Sequence, residues 1–188
     1  IRFYAAFGAG GVIYLTSLIF NNIGLSATEI GLGFTISAII GTVTRFFTGN
    51  YLNKTGLIQS PLITSSILSI AASLFLIFSR DPFFYIVGQS FVGAAAGIYW
   101  PAAEFGVPYF CHPIDTRKAY SLVRSSEALG IFLGVFLGGF MTNYLYNKSI
   151  FINDIFCMLV IAFLISKNNS SIKRNLQNFQ KKSVDPIN

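Results

Sequence analysis

The sequence is short of charge. Only 11% of its 188 residues are Asp, Glu, Lys or Arg, where a soluble domain carries about 25%. A chain that folds in water needs polar cover, and this one lacks it, so the soluble classes are excluded at the outset. Cysteine is scarce as well. Cys111 and Cys157 stand alone in or beside apolar segments, with no C-x-x-C between them. They read as small hydrophobes, which excludes a disulfide framework and a zinc site. The single histidine, His112, sits next to Pro113 with no nucleophile, partner acid or metal-ligand spacing nearby. No catalytic constellation can be built from these residues, so neither an enzyme nor a metal or cofactor is expected. Gly8-x-Gly10 has no strand before it and is not a phosphate loop.

What is present in quantity is apolar. Hydrophobic residues make up 53% of the chain, with 20 Phe and 17 Gly, and mean hydropathy is +0.63. Six apolar runs occupy about residues 3–20, 27–48, 61–79, 83–109, 119–146 and 150–166. A spanning helix needs about 20 mostly apolar residues, so residues 1–166 read as a six-span bundle of an all-α integral membrane protein. Ser26-Ala27-Thr28-Glu29 is a capping box that starts the second helix. Gly49 to Gly56 is a short polar turn between runs two and three, and Pro61 suits the first turn of the third. Pro101 and Pro108 kink or end the long fourth run. Asp154, near the start of the sixth run, places that run's boundary a few residues further on. Residues 167–188 form a basic cytoplasmic tail or linker. Within it Ile172, Leu176 and Phe179 fall at helical spacing, which fits an amphipathic surface helix or a disordered tail with three chance hydrophobes. The first residue is Ile1 and no Ala-x-Ala cleavage pattern follows, so the start reads as truncated rather than as a signal peptide.

Net charge is +6, but the thirteen cations lie at run ends and in the tail, which leaves no soluble module to bind nucleic acid. With the N-terminus cytoplasmic, eleven of them fall inside, among them Arg2, Arg45, Lys54, Arg117, Lys118 and Arg124, and only Arg80 and Lys148 fall outside. The positive-inside rule then places both termini in the cytoplasm, which an even number of spans allows.

Few polar side chains lie inside the runs. Arg124 and Glu127 are three apart, share one helix face and can pair; a gate or latch with the polar turn and a local ion pair are the two readings, with substrate binding behind them. Glu104 follows Tyr99-Trp100-Pro101 and is either a proton-accepting carboxylate in a cavity or a headgroup-zone residue. Gln89 lies deep in the fourth run, where it can bond substrate or a neighbouring helix. Tyr4, Tyr14 and Tyr99 can line a cavity or face lipid.

The polar turn, Gly49-x-x-x-Asn53-Lys54-x-Gly56, resembles the signature loop between helices two and three of the major facilitator superfamily of secondary transporters. Asn53 stands where the family has Asp, Lys54 where it has Arg, and Leu57 at the place of a trailing cation. Arg117-Lys118-Ala119-Tyr120-Ser121 is similar to the family's loop before helix five. Gly130-x-x-x-Gly134-Val135-x-x-Gly138-Gly139 resembles its exporter motif, with Val135 at a common Pro place. Gln89-x-x-x-Gly93 falls where many members have Arg-x-x-x-Gly. The resemblance implies the N-terminal six-helix half of a twelve-helix transporter, built as a 3+3 inverted repeat. It further implies secondary active transport of a small molecule by alternating access, with efflux slightly favoured, in a bacterial inner (plasma) membrane. In this reading Gly49, Asn53, Lys54, Gly56, Arg124 and Glu127 belong to the signature loop and gate. Gln89, Tyr99 and Glu104 lie on a substrate path, and Gly130, Gly134, Gly138 and Gly139 pack helices. The partners are a small-molecule substrate, the bilayer and a second six-helix half, in the same chain or in another. The alternatives are a non-transporting six-span scaffold or truncated product, and a six-span permease acting as a homodimer.

Overall fold

The computed structural model describes residues 1–110, 114–144 and 148–167. His112 and the amphipathic pattern from Ile172 to Phe179 lie outside the described residues, as does the tail beyond Lys167. Seven helices are described: α1 (Arg2–Ile23), α2 (Ala27–Thr55), α3 (Gln59–Phe78), α4 (Pro82–Phe105), the single-turn α5 (Val107–Phe110), α6 (Thr116–Tyr144) and α7 (Ser149–Lys167). All but α5 are long and apolar enough to cross a membrane.

The helix ends follow local chemistry. Ser26 Oγ accepts from the Glu29 amide and the Glu29 carboxylate accepts from the Ser26 amide, the reciprocal capping box. α1 stops at Gly24, whose φ of 106° only glycine adopts freely. There Leu25 N–H reaches the Phe20 carbonyl and Gly24 N–H reaches Asn21, a Schellman end. The C-terminal end of α3 is closed from outside: Lys148 Nζ donates to the carbonyls of Ile77 and Ser79. Burial, and then the nearby Arg80, hold the Lys148 ammonium below the usual lysine value of 10.5.

Three boundaries differ from the sequence reading. The stretch Gly49–Thr55 is helical, the last two turns of α2, and the chain turns only at Gly56 in the left-handed conformation. Propensity does not explain this, since Gly, Asn and Thr rank low; burial of Thr48 and Leu52 ties the last turns to the bundle. The fourth run passes through Pro101, breaks at Gly106, and resumes as α5 with Pro108 inside it. The sixth span begins at Ser149, so Asp154 lies in the helix interior rather than ahead of it. Two serines from α3 supply the hydrogen bonds that make this possible.

Packing forms an open row with α2 and α6 at its two ends. α2 lies on α4, α4 on α3, α3 on α7, α7 on α1 and α1 on α6. Exchanging the first three spans for the last three leaves that pattern unchanged. α2 on α4 becomes α6 on α1, α3 on α4 becomes α7 on α1, and α3 on α7 maps onto itself. Span one and span four run in opposite directions, so the symmetry is that of an inverted repeat.

Both equivalent crossings are built on glycine. On α4, a Cβ at Gly93 would strike the Ser37 carbonyl, and one at Gly97 would strike Thr44 and Gly41 of α2. On α6, a Cβ at Gly130 would lie 2.7 Å from the Phe3 carbonyl, and one at Gly134 would strike Phe7 of α1. Helices in lipid associate by close backbone approach rather than by a hydrophobic drive, and these glycines permit it.

Candidate functional site: a central cavity and an ion-pair cluster

α1 and α4 stand apart, and the space between them is a cavity of about 210 Å³. Ala5, Ala9 and Val12 of α1 face Gln89, Val92 and Tyr99 of α4 across it, and Ser65, Ser69, Asp154 and Met158 of α3 and α7 close it on another side. Its wall is mostly apolar, so each polar atom it holds counts.

Asp154 is 2% exposed. An acid inside a span costs about 2.5–3.5 kcal/mol by insertion scales, so its presence calls for partners. Ser73 Oγ donates to Oδ2 at 2.8 Å and Ser69 Oγ to the same oxygen at 3.0 Å. The serines are four apart and share one face of α3. On the other side α1 offers Gly8, the only residue type small enough there, since a Cβ would lie 2.8 Å from Oδ1.

Gln89, 1% exposed, lines the same cavity; its Nε2 has the Tyr85 hydroxyl as its neighbour but makes no hydrogen bond of good geometry. The buried hydroxyl of Tyr99 makes none either. Tyr4 and Tyr14, the other two tyrosines considered from the sequence, are exposed at 40% and 58% and face away from the cavity.

At one end of the bundle, where α1 begins and α4 finishes, four charges meet. Arg2 donates to Glu127 at 2.8 Å and to Glu104 at 3.4 Å. Arg124 donates to Glu104 at 2.6 Å and to Glu127 at 3.1 Å. Each acid thus takes two arginines, and α1, α4 and α6 are tied in one cycle. The Arg2 guanidinium lies 4.4 Å from the centre of the Trp100 ring, a cation–π contact. Trp100 borders both the central cavity and a vestibule of about 520 Å³ that Arg45, Gly49, Glu104, Arg124 and Glu127 line.

The structure therefore brings Arg124, Glu127 and Glu104 together with Gly49, and Gln89 with Tyr99. It does not bring Asn53 or Lys54 to them. Both are exposed, and neither makes a side-chain hydrogen bond or ion pair among the described residues. Gly56 caps α2. Gly130, Gly134 and Gly138 pack against α1 or α7, whereas nothing lies within 4 Å of a Cβ at Gly139 or at Gly49.

Sequence reasoning passed over Arg2 and Asp154. Arg2 had no visible partner because Glu127 is 125 positions away. Ser69 and Ser73, hydroxyls at i and i+4 that continue the series Ser65 and Ser66 in the third run, are the available sign that α3 faces a buried polar group.

No curated protein matches the chain. The family model of the Major Facilitator Superfamily matches residues 1–185, nearly the whole sequence. With six spanning helices in an inverted repeat behind that match, the chain belongs to the Major Facilitator Superfamily of membrane transporters.

Proposed function

We propose that this bundle moves a small molecule across the membrane by alternating access, as a secondary transporter, and that the cavity between α1 and α4 is part of the path. The observation that carries the reading is the stacking of that cavity beneath the Arg2–Glu104–Arg124–Glu127 cycle, with Trp100 between them. The Arg124–Glu104 arm of the cycle, 57% and 42% exposed, can open at modest cost, because water replaces each lost contact. It acts as a gate at that end, beside Gly49 in the final turns of α2.

The eleven cations at the gate end and in the tail support a cytoplasmic gate and cytoplasmic termini in a bacterial inner membrane. The spans that bury least of their surface are α2 and α6. They suit contact with a second six-helix bundle, from the same polypeptide or from another copy, against which this one rocks. The glycine-lined crossing of α6 on α1 favours export over uptake.

The test is accessibility. Ala96 lines the cavity, and Ala96→Cys in a cysteine-free background changes little volume. In oriented vesicles a membrane-impermeant maleimide is expected to label it from either face. Labelling from one face only, under every ion gradient tried, would favour a static scaffold.

A further inference from the structure

We propose that the cavity between α1 and α4 binds a small organic monocation, an amine that also carries an oxygen acceptor, with the Asp154 carboxylate as its counter-charge. The proposal deepens the transport reading by naming the substrate class, and rests on that reading for calling the ligand a substrate.

Charge comes first. The four ion pairs among the described residues all belong to the Arg2 cycle, and none includes Asp154. The groups around it are Ser69 and Ser73 of α3, Gly8 of α1 and Cys157 on its own helix. The serine hydroxyls stabilise one carboxylate oxygen but bring no positive charge. A buried acid is ordinarily paired with a cation, and here a ligand is the available source.

The second observation is independent. Gln89 Nε2 and Tyr99 Oη line the same cavity and are buried; the Tyr85 hydroxyl oxygen can accept from one of the two N–H groups on Nε2, and the other is left without an acceptor. An unmet amide donor in an apolar site calls for an acceptor, so the ligand presents an oxygen there and its ammonium at Asp154. Alanine, valine and methionine supply the rest of the wall, which an apolar body fills. The volume, about 210 Å³, falls below the roughly 300–1,000 Å³ of drug-sized pockets, so the ligand is a single ring or a short chain.

Trp100 borders the cavity and is the one tryptophan in the chain, so its fluorescence reports occupancy without any transport assay. The chain in lipid nanodiscs is titrated with (tetrahydropyran-4-yl)methylammonium, its neutral alcohol counterpart, and cyclohexylmethylammonium, which lacks the ether oxygen. Saturable binding of the first is expected, with the alcohol weaker by about tenfold or more, the scale of a charge-assisted hydrogen bond. The cyclohexyl amine should be weaker by several-fold. Asp154→Asn should bring the ratio of ammonium to alcohol affinity to about one. Gln89→Leu should remove the preference for the ether oxygen and keep the preference for the cation. Equal affinity for ammonium and alcohol in the unaltered chain overturns the proposal, as does the absence of any saturable response. The unaltered chain decides the matter even if Asp154→Asn fails to fold. Binding without flux would count against transport alone; flux without cation preference would count against this proposal alone.

Discussion

Gly8 and Asp154 occupy one space between them. A Cβ at Gly8 would come within 2.8 Å of Asp154 Oδ1 and 3.1 Å of the Cys157 Cβ, so α1 forgoes a side chain where α7 carries its acid. The close pairing of these helices and the placement of the carboxylate are one arrangement.

Gly8→Ala should therefore destabilise the bundle by about 1–3 kcal/mol, the usual cost of overpacking, seen as a lower thermal midpoint in detergent. Asp154→Ala opens the same space. The double variant should lose less than the sum of the singles, because the two residues share one contact.

Arg2 and Glu127 should couple strongly. Arg2 is 9% exposed and Glu127 14%, so truncating either leaves a partly buried charge with only one partner. A double-mutant cycle of Arg2→Gln and Glu127→Gln should give a coupling of about 1–3 kcal/mol. Arg124, 57% exposed, should couple to Glu104 by about 1 kcal/mol or less. Equal couplings would mean that the cycle is solvated throughout. For function, Glu127→Gln with unaltered transport would remove that residue from any gating role.

The glycines divide into two classes. Gly93→Ala and Gly134→Ala each place a methyl against backbone of the facing helix and should cost about 1–3 kcal/mol or prevent assembly. Gly139→Ala and Gly49→Ala meet nothing within 4 Å and lie within helices. They should be neutral, or stabilising by about 0.5–1 kcal/mol through helix propensity. Thermal midpoints of the four variants check this. If Gly49→Ala lowers transport while raising stability, Gly49 serves motion rather than packing.

Lys148 offers a pH test. Its folded value lies below 10.5 because burial and Arg80 disfavour the ammonium. The unfolded chain then binds more protons in the window between the lowered value and 10.5, so stability should rise with pH across that window. The contacts with Ile77 and Ser79 survive, since a neutral amine still has an N–H for each carbonyl. Lys148→Met should abolish the pH slope and cost about 1–3 kcal/mol at neutral pH, as two buried carbonyls lose their donor. Chemical unfolding at stepped pH measures both effects.

How far these features could be read without coordinates depends on how local they are. The spans, the Ser26 box and the pairing of Arg124 with Glu127 rest on residues at most a few turns apart, and periodicity reveals them. The partners of Asp154 lie 81 and 85 positions away, and those of Arg2 lie 102 and 125 away; nothing in their own neighbourhoods announces them. By sequence Asp154 reads as a boundary residue because an acid argues against a membrane interior, a rule that fails where another helix brings hydroxyls. The end of α2 differs from its sequence expectation for the opposite reason. Polarity there marks the edge of the bilayer, while the helix continues past it to Gly56.

One feature of α2 bears on how it moves. Thr35, Thr42, Thr44, Thr48 and Thr55 each turn the hydroxyl back onto the carbonyl four residues earlier in the same helix. Among the described residues, the one side-chain hydrogen bond that α2 receives from another helix is from Tyr85 to Ile30, next to its Ser26 cap. The helix carries its polar contacts with it. What holds α2 to its neighbours is shape rather than polar contact: Ser37, Gly41 and Thr44 sit against Gly93 and Gly97 of α4, and Leu52 is buried beside Leu62 and Ala102, so displacing the helix would cost packing and almost no hydrogen bond.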